Sequence, residues 1–114
     1  MTDIENAMSI IAEAGECKSL SMEALEYARE GNFERAEELM NESGQTLSRA
    51  HHLQTDLIRE EITGKNKTEM SLLMVHAQDH IMSAMTARDF AFEIIELYKR
   101  LDTVTGNTIY NRSD

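Results

Sequence analysis

Apolar residues recur at helical spacing through most of this chain, and two glycine-containing breaks divide the pattern into three segments. Gly31 follows the first periodic segment, and Gly64 follows the second. Glycine directly after such a segment is the usual end of a helix, because it adopts the left-handed cap conformation at little cost. Thr68, a small polar residue before the third segment, is a candidate N-cap. The pattern therefore predicts three helices, over roughly residues 3–30, 33–62 and 67–102.

Short connections make successive helices antiparallel neighbours, so the predicted fold is all-α, an antiparallel up-down-up three-helix bundle. At 114 residues, the chain is long enough for one domain and too short for two. We place this domain at residues 1–102. Residues 103–114 lose the helical periodicity, and we expect this C-terminal tail to be poorly ordered.

The third predicted helix carries apolar residues on two sides. One stripe, at about 100° per residue, suits the core within the chain. A second stripe follows coiled-coil spacing, with alternating steps of four and three residues. Because a helix that is apolar on two sides indicates contact with another chain, we expect self-association through the second stripe. The first stripe is Met70, Met74, Ala77, Ile81, Ala84, Ala91, Ile95 and Tyr98, and the second is Leu72, His76, Asp79, Ser83, Thr86, Phe90, Glu93 and Leu97.

Composition and charge narrow the possible partners. The chain has no proline, eight methionines and few aromatic residues, which favours helices over sheet. Its net charge of -10 argues against nucleic acid and anionic membranes and favours basic protein surfaces. No apolar run approaches the roughly 20 residues of a membrane span, so we expect no membrane insertion. The single cysteine, Cys17, is interpreted as a small core residue in a cytoplasmic protein.

The most informative polar cluster is His76-Ala77-Gln78-Asp79-His80, which interrupts an apolar stretch of the third predicted helix. Polar groups among apolar ones cost free energy unless they are paired or used. His76 and His80 are four residues apart and therefore share one helical face, whereas Asp79 projects further round toward the second stripe. One interpretation is purely structural, with both histidines satisfied by the backbone or by neighbouring side chains.

Two chemical interpretations compete with the structural one. Histidines at this spacing could bind zinc, but the metalloprotease signature requires glutamate where this chain has Ala77. A hard cation held by copies of Asp79 from several chains is more consistent with carboxylate ligands. Alternatively, a neutral histidine can attack phosphorus and carry a phosphoryl group. The sequence has no glycine-rich phosphate loop, so a phosphocarrier without nucleotide fits better than an ATP-dependent kinase.

The segment 71–82, SLLMVHAQDHIM, resembles the hallmark of enzyme IIA in the lactose/cellobiose family of the bacterial phosphoenolpyruvate-dependent sugar phosphotransferase system. Residues 28–36, 50–58 and 93–101 resemble the family's first turn, second helix and C-terminal end. The resemblance thus covers nearly the whole chain to about Leu101. With Ala77 after the first histidine, the motif is more similar to the cellobiose/diacetylchitobiose branch than to the lactose branch.

This resemblance implies a role for each polar residue of the motif. The family's phosphorylated histidine falls on His76, which would accept phosphoryl from the histidine phosphocarrier protein and pass it to a cysteine of enzyme IIB. The family assembles as a homotrimer of three-helix bundles, and its axial aspartate falls on Asp79. Three copies of Asp79 would surround a divalent cation, magnesium, in a central coiled-coil seam. Gln78 and His80 would line the phosphoryl site at the subunit boundary.

Two functions from other classes stay open at this point. A non-catalytic trimeric helical module, serving interaction or regulation, would use the histidines only structurally. A zinc-binding bundle would use His76 and His80 as ligands. A second histidine pair, His51 and His52, is adjacent in sequence, so its side chains point in different directions, and we expect surface or packing roles.

Overall fold

The computed structural model describes residues 2–64 and 71–105, which form three helices and no strand. These are α1 (Asp3–Arg29), α2 (Phe33–Thr63) and α3 (Leu72–Thr105). The first half of α1 shares a buried apolar cluster with the second half of α2, and the second half of α1 shares one with the first half of α2. Gln54 of α2 contacts Gln78 of α3, and Ser43, earlier on α2, contacts Arg88, later on α3, so successive helices run antiparallel. The predicted all-helical bundle is therefore confirmed. No helix in these two ranges is long and apolar enough to cross a membrane.

The helix ends at both glycines agree with the sequence prediction. Gly31 and Gly64 have φ angles of 86° and 74°, in the left-handed region that glycine tolerates best. Asn32 then caps α2, because its side-chain oxygen accepts the backbone N–H of Arg35 at 3.2 Å. At the start of α1, Thr2 and Glu5 form a reciprocal capping box. Hydrogen bonds from the Thr2 backbone and side chain hold the pKa of the Glu5 carboxyl below its ordinary value.

The third helix differs from its prediction at both ends. It begins at Leu72, because the hydroxyl of Ser71 accepts the backbone N–H of Met74 at 3.1 Å and caps the first turn. The proposed cap, Thr68, lies outside the described residues. At the other end, α3 continues through Thr105, three residues beyond the predicted end at 102. Single-turn differences of this kind arise because helix ends carry the weakest sequence signal.

The first stripe of α3 forms the core, as predicted. Between Leu72 and Thr105, its members are buried or, for Tyr98, partly buried, while Met70 lies outside the described residues. The buried residues form two apolar clusters, one around Ile10 and Ile81 and one around Leu39 and Ile95. Helix α1 packs extensively against both other helices, whereas α2 and α3 contact each other sparsely. The few side-chain hydrogen bonds between α2 and α3 therefore contribute much of the direct contact that orients these two helices relative to each other.

The second stripe of α3 is exposed in the single chain. Each of its residues, from Leu72 to Leu97, lies at the surface. Large apolar side chains on this face are unusually open: Leu72 is 87 % exposed, Phe90 63 % and Leu97 57 %. Several large apolar side chains exposed on one helical face are typical of an interaction surface.

Candidate functional site

His76 and His80 lie together on the exposed side of α3. Their rings meet edge to face with centroids 4.5 Å apart and an interplanar angle of 78°. Their Nε2 atoms are 3.1 Å apart, within hydrogen-bond distance. Such a contact requires one Nε2 to carry a proton and the other to offer its lone pair. The pair therefore holds one Nε2 unprotonated with an N–H donor beside it, and the lone pair of that Nε2 can act as a nucleophile or ligand once the donor turns away.

Asp79 is exposed and points almost directly away from the bundle core. On a helix with about 100° per residue, it lies opposite the direction of Ala77 and Ile81, both fully buried. In the described part of one chain, no three His, Cys, Asp or Glu side chains come close enough to hold a metal ion. A cation bound at Asp79 would therefore need its further ligands from other molecules.

Gln78 lies on a different side of α3 from the histidine pair. Its Oε1 accepts a hydrogen bond from Nε2 of Gln54 on α2, and its own Nε2 is 3.8 Å from the sulfur of Met74. Helical geometry separates its direction from that of His76 by about 160°. The structure thus brings the two histidines together but does not bring Gln78 to them within one chain.

The charge around the motif is sparse. From Ser71 to Ala87, Asp79 is the only Asp, Glu, Lys or Arg in the sequence. A phosphoryl group on His76 would therefore find imidazole and amide N–H donors within the motif rather than lysine or arginine. With so few donors nearby, the position of each one matters for holding the phosphoryl oxygens.

Two contacts that position the site were not predicted from the sequence. Gln54 had no assigned role, although it bridges directly to the motif. Further along the same helix pair, Arg88 donates Nε to the Ser43 hydroxyl at 2.8 Å and a terminal nitrogen to the Met40 carbonyl at 3.1 Å. The one available signal was Gly44, a glycine in the interior of a long helix, which often marks a close approach of another group.

The remaining residues singled out in the sequence behave as ordinary structural groups. Cys17 is fully buried, and burial raises the pKa of its thiol, so it is poorly suited to be a nucleophile. His51 and His52 are both exposed and line an open depression of about 590 Å³ on α2. The Nδ1 atom of His52 lies 2.8 Å from the carbonyl of Ser48, one turn earlier on its own helix.

Comparison with known proteins identifies the group to which this architecture is similar. Residues 5–99 match the family model described as PTS system, Lactose/Cellobiose specific IIA subunit. The lichenan-specific phosphotransferase enzyme IIA component of Bacillus subtilis (strain 168) is 49 % identical over 100 residues, covering 88 % of this chain and 90 % of that protein.

Two solved structures share the fold. The crystal structure of the PTS cellobiose-specific enzyme IIA from Bacillus anthracis aligns with a TM-score of 0.86 and 41 % identity, covering 90 % of this chain and 94 % of that chain. The IIA component in solution structures of the N,N'-diacetylchitobiose IIA–HPr complex aligns with a TM-score of 0.78 and 38 % identity, covering 90 % and 98 %.

Proposed function

The chain belongs to the lactose/cellobiose-specific IIA family of the sugar phosphotransferase system, and from this membership we propose that His76 is its phosphoryl-carrying residue. His76 accepts phosphoryl from the histidine phosphocarrier protein and passes it to a cysteine of enzyme IIB, for uptake of a cellobiose/chitobiose- or lactose-type sugar. The observation that carries this proposal is the exposed His76–His80 pair, whose Nε2 atoms are 3.1 Å apart.

The transfer chemistry follows from the properties of the imidazole pair. A lone pair on His76 attacks the phosphorus of the donor's phosphohistidine, forming one P–N bond while the donor's P–N bond breaks. The donor imidazole leaves with that electron pair. As the phosphoryl group arrives, the N–H of His80 turns from His76 toward a phosphoryl oxygen. His80 thereby stabilises charge that the ground-state pair does not carry.

We further propose that three chains assemble through the second stripe of α3, with Asp79 on the axis. Helical geometry supports this arrangement, because most of the large exposed apolar residues of α3, though not Phe92, lie within about 60° of the direction of Asp79. Three carboxylates converging in an apolar seam repel each other, so a divalent cation, magnesium, offsets their charge. The members of this exposed cluster are Leu72, Val75, Met82, Phe90, Leu97 and Val104.

The same geometry gives Gln78 a place in the phosphoryl site. Around the axis of α3, His76 and His80 project to one side of Asp79, which we call the first flank. Gln78 projects about 100° from Asp79 to the other side, the second flank. In a closed threefold ring, the first flank of each chain faces the second flank of its neighbour. Gln78 of one chain would then donate to a phosphoryl group on His76 of the next chain.

A labelling assay tests the carrier function. The protein is incubated with phosphoenolpyruvate and the two general phosphotransferase proteins, and its intact mass is measured. We expect one added phosphoryl group per chain on wild type and none on His76→Gln. His51→Gln is the matched control, because it replaces an exposed histidine of α2 that is not part of the motif and should label normally. An unlabelled wild type would favour the non-catalytic helical module instead.

A further inference from the structure

Gln54 is the described residue of α2 that hydrogen-bonds directly to the motif on α3. Both partners are part-buried, and the Nε2 atom of Gln54 donates to Oε1 of Gln78. This bridge lies where α2 and α3 otherwise pack sparsely. We propose that Gln54 is a positioning residue for phosphoryl transfer, which fixes the orientation of the Gln78 amide.

The argument rests on the asymmetry of a primary amide. A glutamine side chain presents one oxygen that accepts and one nitrogen that donates two hydrogen bonds. Because Gln54 donates to the oxygen of Gln78, that oxygen is directed toward α2. The nitrogen of Gln78 therefore lies on the other side of its amide, where one N–H is directed to the weakly accepting sulfur of buried Met74, 3.8 Å away. Its second N–H is left for a further acceptor.

This orientation has the correct polarity for a phosphoryl group. Phosphoryl oxygens accept hydrogen bonds, so the second N–H of Gln78 can stabilise them, whereas an amide oxygen in the place of that nitrogen would repel them. Rotation of the Gln78 amide by half a turn would exchange these atoms without changing its shape. Gln54 thus selects the productive orientation, and its effect on transfer depends on the role proposed above for Gln78.

Substitution of Gln54 by glutamate inverts this selection. An ionised carboxylate only accepts, so it would bond to the nitrogen of Gln78 and put the oxygen in the place that the nitrogen now occupies. Gln54→Leu removes the hydrogen bond, so neither orientation of the Gln78 amide is favoured by residue 54. Gln45→Glu is the control for added charge. Gln45 is exposed on the same helix, and its side chain projects on the side of α2 opposite to Gln54.

The experiment measures single-turnover transfer from the phosphorylated histidine phosphocarrier protein, together with side-chain amide NMR of glutamine-labelled protein. We expect Gln54→Glu to lower the limiting single-turnover rate about tenfold or more, with the half-saturating donor concentration within about twofold, because misplaced oxyanion donors act on the transition state. Gln54→Leu should lose less, and Gln45→Glu should match wild type. The Gln78 amide resonances should shift in Gln54→Glu and in Gln54→Leu, because both remove the present hydrogen bond, and should not shift in Gln45→Glu.

Outcomes for the two proposals are distinguishable. A wild type that is not labelled at His76 overturns the proposed function itself. If wild type is labelled but Gln54→Glu transfers within about twofold of it, the positioning role of Gln54 is wrong. Equal losses in Gln54→Glu and Gln45→Glu would assign the effect to charge and also refute the amide-orientation argument.

Discussion

Substitution of Gly44 by alanine tests how closely α2 and α3 are held together. Gly44 lies in the interior of α2, where alanine normally stabilises a helix by about 1 kcal/mol relative to glycine. An added Cβ would lie 2.7 Å from a terminal nitrogen of Arg88 and 3.3 Å from its Cζ, too close for the present arrangement. The guanidinium of Arg88 must therefore move.

The cost of that movement can be worked out from the contacts of Arg88. Its guanidinium donates to Ser43 and Met40 and lies 4.7 Å from the centre of the Phe92 ring. Hydrogen bonds from a charged group contribute about 1.5 kcal/mol each at the lower end of their range, which suits a half-exposed side chain. Losing both costs about 3 kcal/mol, so the net effect of Gly44→Ala is a destabilisation of about 2 kcal/mol.

Gly15→Ala provides the matched control. Gly15 lies in the interior of α1, and an added Cβ there would meet nothing within 4 Å. We expect this substitution to stabilise the protein by about 0.5–1 kcal/mol. Urea unfolding at one fixed chain concentration, followed by circular dichroism, measures both variants.

A double-mutant cycle isolates the clash. In an Arg88→Met background the terminal nitrogen is gone, so Gly44→Ala should become stabilising, with a coupling energy of about 3 kcal/mol. If Gly44→Ala stabilises the protein as much as Gly15→Ala does, Arg88 relaxes freely. The α2–α3 bridge would then not have the rigidity assigned to it here.

Three further predictions concern assembly, the shared site and the core. If the proposed trimer with its axial cation forms, Asp79→Leu should keep it intact when EDTA is added, whereas wild type should dissociate in sedimentation experiments. Co-refolding His76→Gln with Gln78→Leu should restore more transfer than either variant shows alone, because mixed rings contain intact shared sites; additive activities would refute the sharing. Burial raises the pKa of Cys17, so its contribution to stability is present below the ordinary thiol pKa and lost as pH rises above it. Native Cys17 should accordingly alkylate at least about a hundredfold more slowly than in urea, and comparable rates would contradict its burial.

The helices and the core stripe of α3 could be predicted because each depends on local physics. Gly31 and Gly64 end their helices through backbone freedom, and both have positive φ angles. The burial of Ile81 and Ile95 follows from a period of 3.6 residues, which is a property of one helix alone. The start of α3 was less predictable, since Ser71 and Thr68 are equally able to cap a helix.

Contacts between helices could not be predicted in the same way. Periodicity assigns Gln54 and Gln78 to faces of their helices, but it does not give the relative height of α2 and α3. Arg88 illustrates the same limit, because a lone arginine on an amphipathic helix is normally solvated rather than held against a glycine. The histidine pair was predictable, since residues four apart on a helix are always neighbours.

The most direct test of the account follows the phosphoryl group through His76. The wild-type protein is phosphorylated, the modified residue is mapped by peptide mass spectrometry under alkaline conditions, and enzyme IIB is then added. We predict phosphohistidine at His76, followed by its loss as phosphoryl appears on the cysteine of enzyme IIB. Phosphoryl on a different residue, or phosphoryl retained on His76 after enzyme IIB is added, would contradict the account.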